Sequence, residues 1–227
     1  MTDAPVTRVA VVLFEGFTVL DVYGPVQAFA SVRLPRPDGS WHRLFEVVTI
    51  AEKAGPVKSG EGPTTHADHA FADAPAYDVL LVPGGFGTRK AVNNTALLLA
   101  LTAASRAATV TTTVCTGSAL LARTGLMDNR PATSNKVAWD WVVQQGPRVR
   151  WQRQARWVDD GDLVTSSGGS AGIVMALSVG ADMEYSGAAE RPMMLTPAAL
   201  RRSKKLVPAS TAMPAHRREP NSIVRPF

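Results

Sequence analysis

Short apolar segments rich in β-branched residues alternate with longer segments suited to helices, and this alternation constrains the fold most strongly. The segments that predict strands are 8–14, 44–50, 78–82, 107–114, 148–158 and 162–166. The segments that predict helices are 18–31, 93–107, 119–126, 136–145 and 169–183. Because Gly24 and Pro25 lie inside the first helical segment, we expect that helix to kink or restart there.

Strands that are apolar along their whole length are typical of a parallel sheet covered by helices on both faces. The sequence therefore predicts an α/β domain over residues 6–185, whose ligands would bind beyond the carboxyl ends of the strands. Residues 186–227 lack clear periodicity and are rich in Pro, Arg, Ser and Ala. We expect them to form a separate basic tail that is at most partly ordered.

Composition argues against membrane and nucleic-acid partners. Hydrophobic residues make up 45% of the 227 residues, but no apolar run reaches the roughly 18 residues that span a bilayer. The net charge is +5, and the tail alone carries eight Lys or Arg against two Glu, so we interpret the charge as a solvated property of the tail. No secretory signal is visible and a single cysteine cannot form an internal disulfide, which favours a cytoplasmic location.

Cys115, the only cysteine, lies where a thiol is most easily made reactive. The preceding residues predict a buried strand, and 119–126 predicts a short helix, so Cys115 is expected at a strand-to-helix turn. Unpaired backbone N–H groups and the helix dipole at such a position favour the thiolate. A buried, unreactive thiol is the alternative, and the position of Cys115 favours a nucleophile.

Two other features could complete a site around this thiol. Asp21 lies in an otherwise apolar stretch just after the first strand, so it is expected to be partly buried with a raised pKa, suited to proton exchange. It could equally be a helix N-cap. Gly84 and Gly85 follow a buried strand and could present N–H groups to a developing negative charge, together with the N–H of Thr116 or Gly117.

Two other motifs are weaker candidates. His66 and His69 have a spacing that resembles a metal site, but only one acid and no thiol accompany them, so we expect surface histidines and neither a metal nor another cofactor. The run from Gly168 to Gly172 matches the serine elbow G-x-S-x-G, with Asp182 and His216 following in the required order. No strand follows to carry Asp182, and His216 lies in the tail, so Ser170 is not expected to be the nucleophile.

Several of these segments together resemble the ThiJ/PfpI superfamily over roughly residues 6–185. The resemblance rests on the first strand through Phe14 and on four motifs: Leu20-Asp21-Val22-Tyr23-Gly24-Pro25, Asp78-Val79-Leu80-Leu81-Val82-Pro83-Gly84-Gly85, Val114-Cys115-Thr116-Gly117-Ser118, and the segment from Thr165 to Ile173. It implies a flavodoxin-like three-layer sandwich related to class I glutamine amidotransferases. It also implies that the cysteine occupies the elbow and that the Gly84-Gly85 turn helps to form an oxyanion site.

Within the superfamily, the pairing of Asp-x-x-Gly-Pro with Cys-Thr-Gly-Ser looks like the isonitrile hydratase branch. The resemblance implies that Cys115 is the nucleophile, Asp21 the general acid/base and Thr116 a hydrogen-bonding partner. It further implies a small electrophilic substrate, hydration of an isonitrile to an N-substituted formamide through a Cys thioimidate, and a homodimer. The branch usually has Thr-His-Trp after Ala-Thr, where this chain has Ser134-Asn135-Lys136, and usually has Asp where Val174 stands.

Two alternatives to the isonitrile reaction stay open. Glyoxalase-like or deglycase-like members of the superfamily commonly use a Glu on the first helix and often a His after the Cys, and this chain has neither. The branch also resembles the ligand-sensing half of AraC-type transcription regulators, which implies a non-catalytic small-molecule sensor as the alternative from a different class.

Overall fold

The computed structural model of the protein describes residues 6–185, so the predicted tail at 186–227 lies outside the described residues. Thirteen strands are present in this part of the chain: β1 Thr7–Val12, β2 Arg33–Pro35, β3 Trp41–Arg43, β4 Phe45–Ala51, β5 Gly55–Lys58, β6 Thr64–Ala67, β7 His69–Ala70, β8 Val79–Val82, β9 Val110–Val114, β10 Pro131–Ala132, β11 Arg150–Trp151, β12 Trp157–Asp159 and β13 Leu163–Ser166. Six helices accompany them: α1 Val19–Ala30, α2 Thr88–Ala91, α3 Thr95–Ala107, α4 Gly117–Arg123, α5 Trp139–Gln145 and α6 Ser170–Tyr185.

A seven-stranded sheet forms the centre of the fold, in the order β12-β13-β9-β8-β1-β4-β7. All neighbours are parallel except β12 and β13, which run antiparallel at one edge. Five adjacent parallel strands, β4-β1-β8-β9-β13, follow the 2-1-3-4-5 strand order of a flavodoxin-like sheet. Every residue of β8 and the last four of β1 are buried, as expected of central parallel strands. The predicted α/β fold is confirmed.

Helices cover both faces of this sheet. Because parallel crossovers are right-handed, α1 on the way from β1 to β4 and α3 on the way from β8 to β9 lie on opposite faces. On the first face α1 packs against α6, and on the other α4 contacts both α3 and α5. The connections that leave β1, β8, β9 and β13 therefore meet at one edge, where the carboxyl ends of these strands lie.

The first helix is continuous through Gly24 and Pro25, so the expected restart is wrong. Gly24 is instead a contact point, because a Cβ there would lie 2.8 Å from Cγ1 of Ile173 on α6. The glycine lets the two helices approach closely, and packing of this kind stabilises a helix that lacks the hydrogen bond Pro25 cannot donate.

Other boundaries differ in ways that follow from local hydrogen bonds. The strand expected at 148–158 is divided into β11 and β12 by a turn in which Ala155 N–H donates to the Gln152 carbonyl at 3.3 Å. The helix expected from residue 136 begins at Trp139. Its start follows a turn in which the side chain of Asn135 accepts a hydrogen bond from the N–H of Ala138.

Candidate active site

Cys115 occupies a strained turn between β9 and α4. Its φ is +58°, a left-handed conformation that costs a residue with a Cβ about 1–3 kcal/mol. Three hydrogen bonds hold it there: its N–H donates to the Ser166 carbonyl at 3.1 Å, and its carbonyl accepts from the Ser134 and Ser118 hydroxyls at 2.8 and 3.2 Å. The backbone at Cys115 therefore forms the predicted turn from strand to helix. The Cys115 side chain is half-buried.

Two glycines leave the space that the thiol occupies. A Cβ on Gly84, after β8, would lie 2.7 Å from the Cys115 Cβ and 2.6 Å from the N atom of Thr116. A Cβ on Gly168, after β13, would lie 3.0 Å from the Cys115 Sγ. All three distances are shorter than ordinary van der Waals contacts, so neither glycine tolerates a larger side chain without displacing the thiol.

Asp21 faces this thiol from the first turn of α1 and is only 1% exposed. Its Oδ2 accepts a hydrogen bond from Gly84 N–H and its Oδ1 accepts one from Gly169 N–H, both at 3.2 Å. Burial raises the pKa of Asp21, against the lowering effect of these two bonds and of the Cys115 thiol, and the charge of Glu61 raises it further. Thr18 is the N-cap residue of α1, so the N-cap alternative for Asp21 is wrong.

The surroundings of Cys115 favour the protonated thiol over the thiolate. Burial, followed by the charge of Asp21, raises its pKa to about 12, and the Thr116 N–H and the Asn135 amide offset only part of this rise. The expected lowering of the thiol pKa at the helix N-terminus is outweighed by burial and by the charge of Asp21. The site thus pairs a thiol with a buried carboxylate, and Asp21 interacts with the thiol both as a hydrogen-bond acceptor and as a charge.

The Gly84-Gly85 turn positions side chains of the site. Gly84 N–H donates to Asp21, and Gly85 N–H donates to the Thr116 hydroxyl at 3.0 Å, where Thr88 also makes a hydroxyl contact. The Thr116 hydroxyl therefore faces this turn, while its N–H faces the Cys115 sulfur.

Gly117 begins α4, and a Cβ there would lie 2.3 Å from the Val82 carbonyl oxygen. The missing side chain allows α4 to start against the end of β8. Participation of Gly84, Gly85 or Gly117 in binding a substrate anion stays a prediction.

Asn135 is a member of the site that sequence reasoning did not select. Its Nδ2 donates to the Cys115 Sγ at 3.1 Å, and its Oδ1 accepts from Ala138 N–H at 2.8 Å. The available signal was the departure from the histidine of the isonitrile hydratase branch at this position. A carboxamide there keeps a hydrogen-bond donor without a titratable group.

The weaker candidates take no part in the side-chain hydrogen bonds described above. Ser170 is exposed at the start of α6, and the N–H of the preceding Gly169 donates a hydrogen bond to Asp21. His66 lies in β6 and His69 in β7, and the described residues contain no group of three or more His, Cys, Asp or Glu that could hold a metal. Val174 is half-buried within α6. The partners once considered for Ser170, the side chain of Asp182 and His216, lie outside what the structure describes.

The fold and this site define a class of protein: a flavodoxin-like sandwich with a cysteine at the elbow after the fourth core strand and an acid on the first helix. The chain matches the DJ-1/PfpI family over residues 7–181 and belongs to that family. The family expected from the sequence motifs is therefore confirmed.

Three similar proteins illustrate the range of relatives. An isonitrile hydratase of Pseudomonas putida is 30% identical over 176 residues, which is 78% of this chain and 72% of that protein. The HTH-type transcriptional regulator CdhR of Pseudomonas aeruginosa is 28% identical over 167 residues, 74% of this chain but 48% of the regulator. A crystal structure of a ThiJ/PfpI family protein from Pseudomonas syringae superimposes with a TM-score of 0.68 at 25% identity, covering 88% of this chain and 84% of that one.

These relatives include an enzyme and a transcription regulator, so family membership alone does not assign an activity. None of the helices between residues 6 and 185 is long and apolar enough to cross a bilayer.

Proposed function

We propose that this protein hydrates isonitriles to N-substituted formamides, with Cys115 as nucleophile and Asp21 as general acid/base. The observation that carries the proposal is the buried contact between the Asp21 carboxylate and the Cys115 thiol. The 30% identity to an isonitrile hydratase supports the same choice of substrate. An isonitrile suits such a pair because its terminal carbon is a small electrophile that accepts both the sulfur and the proton.

In the first step the Cys115 sulfur attacks the terminal carbon of R–N≡C and an S–C bond forms. Asp21 takes the thiol proton as the bond forms and delivers it to the same carbon, which gives the thioimidate R–N=CH–S–Cys115 and returns Asp21 to its ionised form. A neutral thiol beside a buried carboxylate is a suitable resting state for this transfer, because attack and deprotonation can proceed together.

In the second step water adds to the thioimidate carbon. Asp21 accepts a proton from the water and passes it to the imine nitrogen, giving R–NH–CH(OH)–S–Cys115 and leaving Asp21 ionised. Asp21 then takes the hydroxyl proton as the formyl C=O forms and the C–S bond breaks, and it passes this proton to the departing sulfur. The sum is one isonitrile and one water converted to one formamide, without oxidation or reduction.

The direct test is formamide production from an aryl isonitrile by the purified full chain. We expect turnover by the wild type, no turnover above background by Cys115→Ala, and wild-type rates from Ser170→Ala, which alters an exposed hydroxyl near the site. Mass spectrometry of protein quenched during turnover is expected to show a thioimidate adduct on Cys115. Equal formamide production by the wild type and Cys115→Ala would rule out the mechanism.

A sensor of small molecules is the second candidate. Similarity to the regulator CdhR over 167 residues favours it, as does an environment that raises the thiol pKa, since a binding protein needs no thiolate. Binding of the isonitrile by calorimetry without formamide production, and with equal affinity in wild type and Cys115→Ala, would favour the sensor. Parallel assays with methylglyoxal and glycated amino acids test the glyoxalase and deglycase alternatives against the same variant.

The assembly and location expected from the sequence also stay proposals. We propose a homodimer, which sedimentation equilibrium of the full chain tests, and a cytoplasmic location, which fractionation of the source cells tests. Neither bears on the chemistry of Cys115.

A further inference from the structure

We propose that Asn135 is a further catalytic residue of this site: its amide holds the Cys115 sulfur beside Asp21 and donates to the negative charge on sulfur as the C–S bond forms and breaks. The part concerning the C–S bond rests on the proposed hydratase function, whereas the effect on the thiol does not. The contact that carries the proposal is the 3.1 Å hydrogen bond from Asn135 Nδ2 to Cys115 Sγ.

The orientation of the Asn135 amide is set by its second contact. Oδ1 accepts a hydrogen bond from Ala138 N–H at 2.8 Å, and that N–H can only donate. Rotating the amide by half a turn would place its NH2 group against another donor and its oxygen against the sulfur. The N–H groups of the amide are therefore directed to Cys115 by the same turn that leads into α5.

The segment that carries Asn135 is anchored to the sheet and to the nucleophile. Thr133 is fully buried, and its N–H donates to the Thr165 hydroxyl on β13 at 2.8 Å. The Ser134 hydroxyl donates to the Cys115 carbonyl at 2.8 Å. Thr133 thus binds β13, Ser134 binds the backbone of Cys115, and Asn135 binds its sulfur. Because these bonds fix the segment, the amide is already in place before the reaction begins.

The charges around the sulfur explain why such a donor is needed. Asp21 stands on one side, and the charge of Glu61 adds to the negative potential at Asp21. The groups that favour negative charge on sulfur are the Thr116 N–H and the Asn135 amide, and neither carries a full charge. Because an amide does not titrate, it supplies this donation at every pH at which the protein is folded.

The thiol effect is measured by the rate of alkylation of Cys115 with iodoacetamide across pH, using the full chain without substrate. Asn135→Ser keeps a short oxygen acceptor for Ala138 but loses the donor to sulfur, so alkylation is expected to be about tenfold slower at a given pH, the effect of a pKa rise of about one unit. Asn135→Asp keeps the acceptor and the size but adds a charge, so a larger decrease is expected. Asn93→Ala, at an exposed asparagine, is the control and should alkylate at the wild-type rate.

Asn135→His provides a spectroscopic and kinetic signature that a structural role would not produce. Its imidazole titrates, so the alkylation rate is expected to show a new inflection at about pH 6.5 that the wild type lacks. NMR titration of the introduced imidazole should report the same midpoint, and that midpoint should shift after Cys115 is alkylated.

The proposal is overturned if Asn135→Ser and Asn135→Asp alkylate with the wild-type rate and pH profile, whatever their effect on thermal stability. Formamide assays on the same variants are expected to show kcat lowered about tenfold with KM little changed. If alkylation slows but the wild type makes no formamide, the hydratase function fails and the contact of Asn135 with the thiol stands. If turnover falls but alkylation does not, donation to sulfur is ruled out.

Discussion

The Asp21 carboxylate and the Cys115 thiol lie within hydrogen-bonding reach of each other, and each changes the pKa of the other in opposite senses. The charge of Asp21 raises the pKa of the thiol, while the thiol lowers the pKa of a carboxyl that burial has already raised. One proton is therefore held between the two groups. A pair of this kind does not rely on a preformed thiolate, and its reactivity depends on moving that proton at the time of attack.

Asp21→Asn is expected to change turnover and thiol reactivity in opposite directions. Removing the charge lowers the pKa of Cys115, so alkylation by iodoacetamide at neutral pH should become at least tenfold faster. Formamide production should fall at least a hundredfold, because the amide cannot accept the thiol proton. Parallel alkylation and turnover assays check this, with Cys115→Ala as the blank for both, and a common decrease in the two rates would show that Asp21 supports only the fold.

The pH profile of hydration should have an acid limb set by Asp21. Its carboxyl must be ionised to accept the thiol proton, so kcat/KM is expected to fall as pH decreases through a pKa that burial raises above the ordinary value of about 3.9. Because the pKa of Cys115 is about 12, no thiol inflection is expected near neutral pH.

Glu61→Gln tests how far the charge of Glu61 sets the midpoint of the acid limb. The charge of Glu61 raises the pKa of Asp21, so its removal should move the acid limb to lower pH without lowering the plateau. Glutamine keeps an oxygen for the hydrogen bond from Val19 N–H, so α1 is expected to start normally. Circular dichroism at each pH distinguishes the loss of activity at low pH from acid unfolding. If the acid limb of the Glu61→Gln variant has the wild-type midpoint, the limb belongs to a group other than Asp21.

The fold followed from the sequence where burial alone determined structure. The central strands and the elbow at Cys115 were predicted because continuous apolar segments followed by glycines have few other solutions. The short pairs β2–β3 and β5–β6 were not predicted, because β2 and β3 have no buried residue and β5 and β6 bury only Val57, Thr65 and Ala67, which leaves no apolar run to read in the sequence.

The site was predicted less completely, because its electrostatics depend on distant segments. The helix N-terminus suggested a thiolate, but the burial and the charge that decide the pKa of Cys115 come from packing against α1. Asn135 lies twenty residues from Cys115 in the chain and is placed by bonds to β13 and to the elbow. The first relation has no local sequence signal, and the signal for the second is the departure from the branch's histidine at position 135.

Thr116→Val should destabilise the protein and disturb the Gly84-Gly85 turn. The buried Gly85 N–H donates to the Thr116 hydroxyl and would lose its partner, which costs about 1–3 kcal/mol. Thr116→Ser keeps the hydroxyl and is expected to retain most of the stability and activity. Chemical denaturation gives the free energies of unfolding, and equal stability of the two variants would show that water or another group replaces the lost acceptor.

Gly84→Ala should reduce activity more than its effect on stability explains. The added Cβ would lie 2.6 to 2.8 Å from the N atom and hydroxyl of Thr116 and the Cβ of Cys115, so the turn after β8 must move away from the nucleophile. Overpacking of this kind costs about 1–3 kcal/mol, and displacement of the N–H that binds Asp21 should lower kcat at least tenfold.

Gly180→Ala is the matched control within α6, where the nearest atoms are 3.6 Å or more away. Alanine favours a helix over glycine by about 0.5–1 kcal/mol, so this variant should be slightly more stable and fully active. Thermal denaturation and formamide assays compare the two, and full activity in Gly84→Ala would show that the proton transfer tolerates movement of this turn.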